Sequence, residues 1–153
     1  MKQELIVKIS SDKIKKFYRD MLKVRLFEEK VYYLFLQGIL PGTIHQCQGQ
    51  EAVAVGVCSA LKPTDFIASN HRPHGHSLAK GMSVNAAMAE LFAKKTGCCK
   101  GKGGSMHFAD ISSGIAPATA VIGESILIAT GMALAFSMQN TDNVAVGFFG
   151  DGA

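Results

Sequence analysis

Residues Val144-Ala-Val-Gly-Phe-Phe149 run straight into Gly150-Asp151-Gly152-Ala153, and the reading of this stretch decides the fold. A short, unbroken apolar run is the mark of a strand buried in a parallel sheet. A carboxylate between two glycines, just past the strand's carboxyl end, suits a metal ion and a phosphate. Glycine lets the backbone approach an anion closely, and aspartate offers a hard oxygen ligand. Ligands in open α/β sheets sit at such strand ends. Taken alone, Gly-Asp-Gly is a weak signal that fits a plain exit from a strand better, so the rest of the chain has to decide.

Upstream, Ser125 to Met138 is apolar nearly all round and reads as a buried helix. Thr96 to Gly123 reads as a long loop punctuated by glycines and Pro117. Its length, with Met106, His107 and Phe108 in it, marks it for a subunit interface. Ser83 stands where it can cap a helix running to about Ala93. Ser69 to Gly75 reads as a polar loop, Asp65 to Ala68 as a short strand, and Gly49 to about Pro63 as a mostly buried helix. Ser10-Ser11-Asp12 caps a long amphipathic helix with apolar residues at Ile14, Phe17, Tyr18, Met21, Leu22, Val31, Leu34 and Phe35. Gly38 and Pro41-Gly42 stop it. Helices alternate with strands, so the class is α/β, a parallel sheet flanked by helices. Two strands cannot close a core around four helices, so the sheet reads as incomplete.

The 153 residues are 48% hydrophobic, enough for one domain with a real core. The expected organisation is a single unit over 1–153 with an amino-terminal helix region at 1–40. The formal net charge of +4 is modest. Early lysines and arginines alternate with Glu4, Asp12, Asp20, Glu28 and Glu29, as on a solvated helix face. Few aromatics interleave with the charges, so nucleic acid is not the expected partner. Met1-Lys2-Gln3-Glu4-Leu5 carries charges where a signal peptide has an apolar core. No stretch reaches the roughly 20 apolar residues of a membrane span. The expectation is a cytoplasmic protein without a membrane partner. Cys47, Cys58, Cys98 and Cys99 lack a Cys-x-x-Cys spacing and read as reduced thiols.

Three segments carry chemistry. Lys100-Gly-Lys-Gly-Gly-Ser105 has the composition of a phosphate loop, but Lys102 is followed by Gly103 where the hydroxyl residue belongs. A basic surface loop is the plainer reading, and a phosphate- or nucleotide-binding module is an alternative function built on it. His71, Arg72, His74 and His76 crowd one loop. No distant ligand completes a zinc site. An arginine between histidines suits an anion, whose oxygens guanidinium grips in a fork. The residues alone leave an anion site and a solvated loop both open. His45, in a polar loop before a helix, suits a general acid or an anion ligand. Glu51 reads as a complement to the helix dipole, and Cys47 lacks an activating base.

Together these segments resemble one family. His45-Gln-Cys-Gln-Gly-Gln-Glu-Ala52, Pro63-Thr-Asp65, His71-Arg-Pro-His-Gly75, Gly81-Met-Ser-Val84, Ala89-Glu-Leu91, Gly97 to His107 and Gly150-Asp-Gly-Ala153 are similar, in order and spacing, to one kind of subunit. It is the alpha subunit of the thiamine-diphosphate-dependent decarboxylating component of 2-oxo acid dehydrogenase complexes. That group includes pyruvate, branched-chain and acetoin dehydrogenases. The Lys-Gly-Lys-Gly-Gly-Ser-Met-His run is the most specific part.

The resemblance implies the amino-terminal part of a thiamine-diphosphate-binding α/β fold, truncated. It implies Asp151 as a Mg2+ ligand, with Gly150 and the backbone of Gly152 and Ala153 beside the cofactor diphosphate. His71, where the family commonly has Tyr, and Arg72 would hold diphosphate oxygens from the other side. Ala120 and Ile122 would contact the aminopyrimidine ring, and His45 would lie at the substrate end as the catalytic candidate. A beta subunit, a lipoyl-bearing acyltransferase component and a small 2-oxo acid are the implied partners. The family's motif continues past Gly-Asp-Gly to an Asn pair and a His-rich loop that these 153 residues do not contain. The expectations are therefore a chain inactive by itself or, in the rival reading, a non-catalytic remnant or split gene product.

Overall fold

The computed structural model describes residues 9–153. The reading of Met1 to Leu5 lies outside those residues. Helix α1 covers Ser11–Leu36, and the Ser10 side chain accepts from the Lys13 N–H, as its cap position predicts. Then follow α2 (Glu51–Cys58), β1 (Phe66–Ala68), α3 (His74–Lys80), α4 (Val84–Leu91), a 3₁₀ turn (Ile111–Ser113), α5 (Glu124–Met138) and β2 (Ala145–Gly147). The class is mixed α/β.

The two strands pair in parallel, Phe66 to Ala145, Ile67 to Val146 and Ala68 to Gly147. Asp65 sets the register. One of its oxygens accepts from the Lys62 N–H at 2.7 Å and the other from the Val144 N–H at 2.9 Å. On its other side β1 gains a rung from the long loop: Ile67 donates to Gly114, and Ala116 donates to Ile67. Val24, Phe27 and Val31 of α1 meet Cys58, Ile67, Leu78, Leu91, Phe108 and Ile115 in one buried cluster. Packing there is close. A Cβ on Gly75 of α3 would lie 2.8 Å from the Cys47 sulfur, so glycine is what lets α3 approach the His45–Cys47 segment.

Four expectations change. His74 and Gly75 are not loop but the first turn of α3. Seven residues containing a glycine and two histidines carry a weak helical signal, and burial rather than propensity forms that helix. Ser83 occupies the cap position of α4, yet its side chain makes no capping bond. Helix α5 is where expected, but it buries only Ser125 and Ala129, while Leu127, Leu134 and Met138 stand exposed. Its all-round apolarity marks a helix meant to be covered on more faces than this chain covers. Finally, Phe108, Ile115, Ala116 and Ala118 of the long loop are buried in the chain's own core. Phe108 is thus no sign of a subunit interface. Among the described residues no helix is long and apolar enough to cross a membrane.

Candidate functional site

A cavity of about 580 Å³ opens at the carboxyl ends of β1 and β2. His71, Arg72, Asn70 and His76 form one wall, Gly150, Asp151 and Gly152 the facing turn, with Ile122, Gly123, Phe148, Phe149, Gln50 and Val53 between them. It lies where strand-end geometry places ligands in α/β sheets.

The turn is set in place from below. Phe148 donates its N–H to Ala68, and the Ser125 hydroxyl donates to the Phe148 carbonyl at 2.8 Å. The Phe148 ring stacks on His76 with centroids 3.8 Å apart. His76 is itself held by the Ser69 hydroxyl at 2.7 Å, and burial drives its pKa down to about 4. A neutral, immobile imidazole thus backs the turn. Asp151 projects from it exposed. A Cβ on Gly150 or Gly152 would meet nothing within 4 Å, and neither has a left-handed φ. The chain's own packing requires glycine at neither position, and the bare backbone there leaves room for close approach.

The opposite wall is tied down more tightly. The Arg72 N–H bonds Asn70 Oδ1 at 2.9 Å, and its guanidinium donates to the Gln46 carbonyl. One prong of the expected fork is thereby used to hold the side chain, and the others remain for an anion. His71 meets His45 edge to face, centroids 5.4 Å apart, and Nδ1 of each ring is buried without a partner. Burial first, then the charges of Arg72 and His45, hold the His71 pKa below its ordinary value. Gly123 begins α5 in a left-handed conformation and lines the cavity, so the positive end of that helix faces the same space.

The predicted residues are therefore only partly gathered. His71, Arg72, Ile122, Gly150, Asp151 and Gly152 line the cavity, while Ala120, Ala153 and His45 do not. His45 reaches the site through its contact with His71. The Ala153 N–H donates to the Gly150 carbonyl at 3.2 Å, so this amide closes the turn instead of facing an anion. His76, named with the histidine-rich segment, lines it too, whereas Gln50, Val53, Asn70 and the two phenylalanines carry no sequence signal of their place, which depends on packing. The helix-start glycine at 123 was the one signal that sequence could have supplied.

Other expected features resolve differently. The histidine-rich segment is not one solvated patch: His74 and His76 are buried and face different partners. Glu28, read as part of a solvated face, is wholly buried and bonded to His74 at 2.9 Å. Burial alone would raise its pKa, but bonds from His74 and Cys47 outweigh this and hold it below the carboxylate range. Glu51 opens α2 and pairs with Arg25 at 2.7 Å. Burial and Glu28 push the Cys47 thiol up, consistent with an inert thiol.

The basic glycine loop is also filled from within. The buried Glu90 carboxylate accepts from the N–H groups of Cys99, Gly101, Gly103 and Gly104 at 2.7–3.1 Å. These amides form an anion nest whose anion belongs to the chain. An external phosphate finds them already bonded, so these amides offer it no backbone cradle.

The family model described as "Dehydrogenase E1 component" matches residues 18–153. The alpha subunit of acetoin:2,6-dichlorophenolindophenol oxidoreductase from Bacillus subtilis (strain 168) is 50% identical over 145 residues, covering 95% of this chain and 44% of the relative. The alpha subunit of the pyruvate dehydrogenase E1 component from Rhizobium meliloti (strain 1021) is 42% identical over 148 residues, 97% of this chain and 42% of the relative. The somatic mitochondrial form of that subunit from Homo sapiens is 39% identical over 138 residues, 90% of this chain and 35% of the relative. The chain spans less than half the length of these curated relatives.

Proposed function

The chain belongs to the dehydrogenase E1 component family, and from that premise we propose that it forms the amino-terminal part of a 2-oxo acid dehydrogenase alpha subunit. The reaction is thiamine-diphosphate- and Mg2+-dependent oxidative decarboxylation of a 2-oxo acid, with pyruvate the first choice, and transfer of the acyl group to a lipoyl arm. A beta subunit and a lipoyl-bearing acyltransferase component are the partners.

The observation that supports this most is the cavity itself. Segments far apart in sequence bring His71 and Arg72 opposite Gly150-Asp151-Gly152. Cationic and N–H donors on one wall and a carboxylate beside uncrowded glycines on the other are the donor set for a diphosphate and its cation. The unpartnered His71 Nδ1 is a polar atom in want of a ligand. Asp151 would hold the metal ion, and Arg72 with His71 the phosphate oxygens. The bound cofactor supplies a nucleophilic carbon and an electron sink.

The remaining work falls to the chain. Val53, Ile122, Phe148 and Phe149 supply apolar wall that excludes water. The His76–Phe148 stack fixes the turn that carries Asp151. Arg72, anchored at Gln46, presents its charge without having to be ordered on binding. His45, beside His71, offers an imidazole as a hydrogen-bond partner for a substrate.

Calorimetric titration of the full-length protein with thiamine diphosphate and magnesium tests the reading. Asp151→Asn is expected to weaken binding at least tenfold, because a Mg2+ site rests on one or two carboxylates. Asp110→Asn should leave it unchanged, since Asp110 is occupied with Ser112 and Ser113. Equal titrations for the two variants would remove Asp151 from the metal site. Acetoin is the second substrate reading, supported by the higher identity to the acetoin oxidoreductase subunit than to the pyruvate dehydrogenase subunits above. Turnover of each substrate by the full-length protein with its beta subunit separates the two.

A further inference from the structure

Behind the His45 wall lies a run of buried polar groups that touches no part of the cavity. Glu28 and His74 are fully enclosed, and Ser105 nearly so. A carboxylate only accepts, so His74 presents Nδ1–H to Glu28 Oε1 at 2.9 Å. Its Nε2 lies 3.0 Å from the Ser105 hydroxyl, which donates to it when the ring is neutral. The Ser105 oxygen keeps its lone pairs, and the backbone N–H of His45 donates to that oxygen at 3.0 Å. With a neutral His74, each donor in the run follows from the group before it, beginning at the carboxylate.

The same carboxylate grips the residues next to His45. Glu28 Oε1 accepts from the Cys47 N–H at 3.0 Å, and Oε2 from the Gln46 side chain at 3.2 Å. The Gln46 carbonyl in turn accepts the Arg72 guanidinium. Serine, histidine and carboxylate occur here in the order of a hydrolytic triad. Yet Ser105 is 5% exposed and already accepts from His45, so it is placed to hold and not to attack.

We propose that Glu28, His74 and Ser105 are positioning residues, which fix His45 edge-on to His71 so that the two imidazoles keep one mutual orientation. This rests on the reading above for what His45 does, but the positioning itself is a property of the free chain. Glu28 also sets Arg72 through Gln46, so one buried carboxylate aligns both Arg72 and the His45 segment.

Nuclear magnetic resonance on the isotopically labelled chain tests it without cofactor. Long-range proton–nitrogen spectra report the tautomer of each imidazole. His74 is expected as the Nδ1–H form, and an Nε2–H form would reverse the donor order and overturn the proposal. In Ser105→Ala the His45 amide is expected to exchange with deuterium about five- to tenfold faster, as loss of one hydrogen bond implies. The through-space signal between the His45 and His71 rings should weaken, and Ser105→Thr should restore both. The His76 ring, bonded to Ser69 and stacked on Phe148, is the reference for an intact fold. Unchanged His45 exchange with His76 intact overturns the proposal. If Ser105→Ala loses the His76 signal, the wild-type tautomer decides alone. A failed thiamine diphosphate titration would unseat the proposed function and leave these readouts untouched.

Discussion

The chain has two glycine-rich segments with opposite fates. In Lys100 to Ser105 the amides turn inward onto Glu90, and the glycines are demanded by their neighbours: a Cβ on Gly101 would lie 2.5 Å from the Ala93 backbone, and one on Gly103 2.6 Å from the His107 carbonyl. In Gly150 to Gly152 nothing crowds either glycine, and the carboxylate of the segment points outward. Similar composition thus serves as internal cement in one place and as an open site in the other. The lesson is general: a glycine-rich loop is an anion site only if the chain has not already supplied the anion.

The largest expected effect tests the cement. Glu90→Ala strands four half-buried amide donors and is expected to cost about 4 kcal/mol of stability, read by urea denaturation. Asp151→Ala should change the same measurement by no more than about 0.5 kcal/mol, as an exposed residue does. Comparable losses would break the contrast.

Acid should separate the two regions as well. His76, which backs the open turn, has its pKa lowered by burial from 6.5 to about 4. As pH falls the unfolded chain takes up this proton first, so stability present above pH 6.5 is lost on the way to about pH 4. The size is on the order of 3 kcal/mol. Burial would raise the Glu90 carboxyl, but four amide bonds hold it below its ordinary 4.5. Its contribution is therefore lost only as pH falls below 4.5 and through that lowered value. Stability measured against pH should show the first loss vanish in His76→Phe and the second persist.

Smaller effects sharpen the comparison at single atoms. Gly103→Ala is expected to cost about 2 kcal/mol through overpacking, whereas Gly152→Ala should cost less than about 0.5 kcal/mol and weaken thiamine diphosphate binding instead. At the opposite wall, Arg72→Ala should reduce cofactor affinity roughly tenfold, with Arg72→Lys recovering only part of it, because the point charge lacks the fork. Full recovery by lysine would show that Arg72 acts through charge alone.

Much of this was legible from local pattern. The cap at Ser10, the apolar spacing of α1, the run at Val144 and the Gly-Asp-Gly turn each state their structure within a few residues. Helical period, strand period and turn chemistry are short-range rules. The motif order was enough to point to the family, and that resemblance, rather than local pattern, implied that His71 and Arg72 face Asp151. Where local pattern misled, the cause was a partner distant in sequence. Glu28 looked solvated until His74 neutralised its burial. Helix α3 had little propensity of its own, and α5 had the composition of a buried helix with too little chain to bury it.

By itself the sequence determined every long element, though not α3, together with the α/β class and the chemistry offered at His71, Arg72 and Asp151, because these depend on residue type and short spacing. Only the tertiary structure decided which anions are internal and which side chains face the cavity. It placed the Glu90 carboxylate in the basic loop, turned His74 and His76 away from one another, and linked Glu28 through His74 and Ser105 to His45. The physical reason is that a buried polar group must find its partner wherever packing puts one. Packing joins residues that no local rule connects.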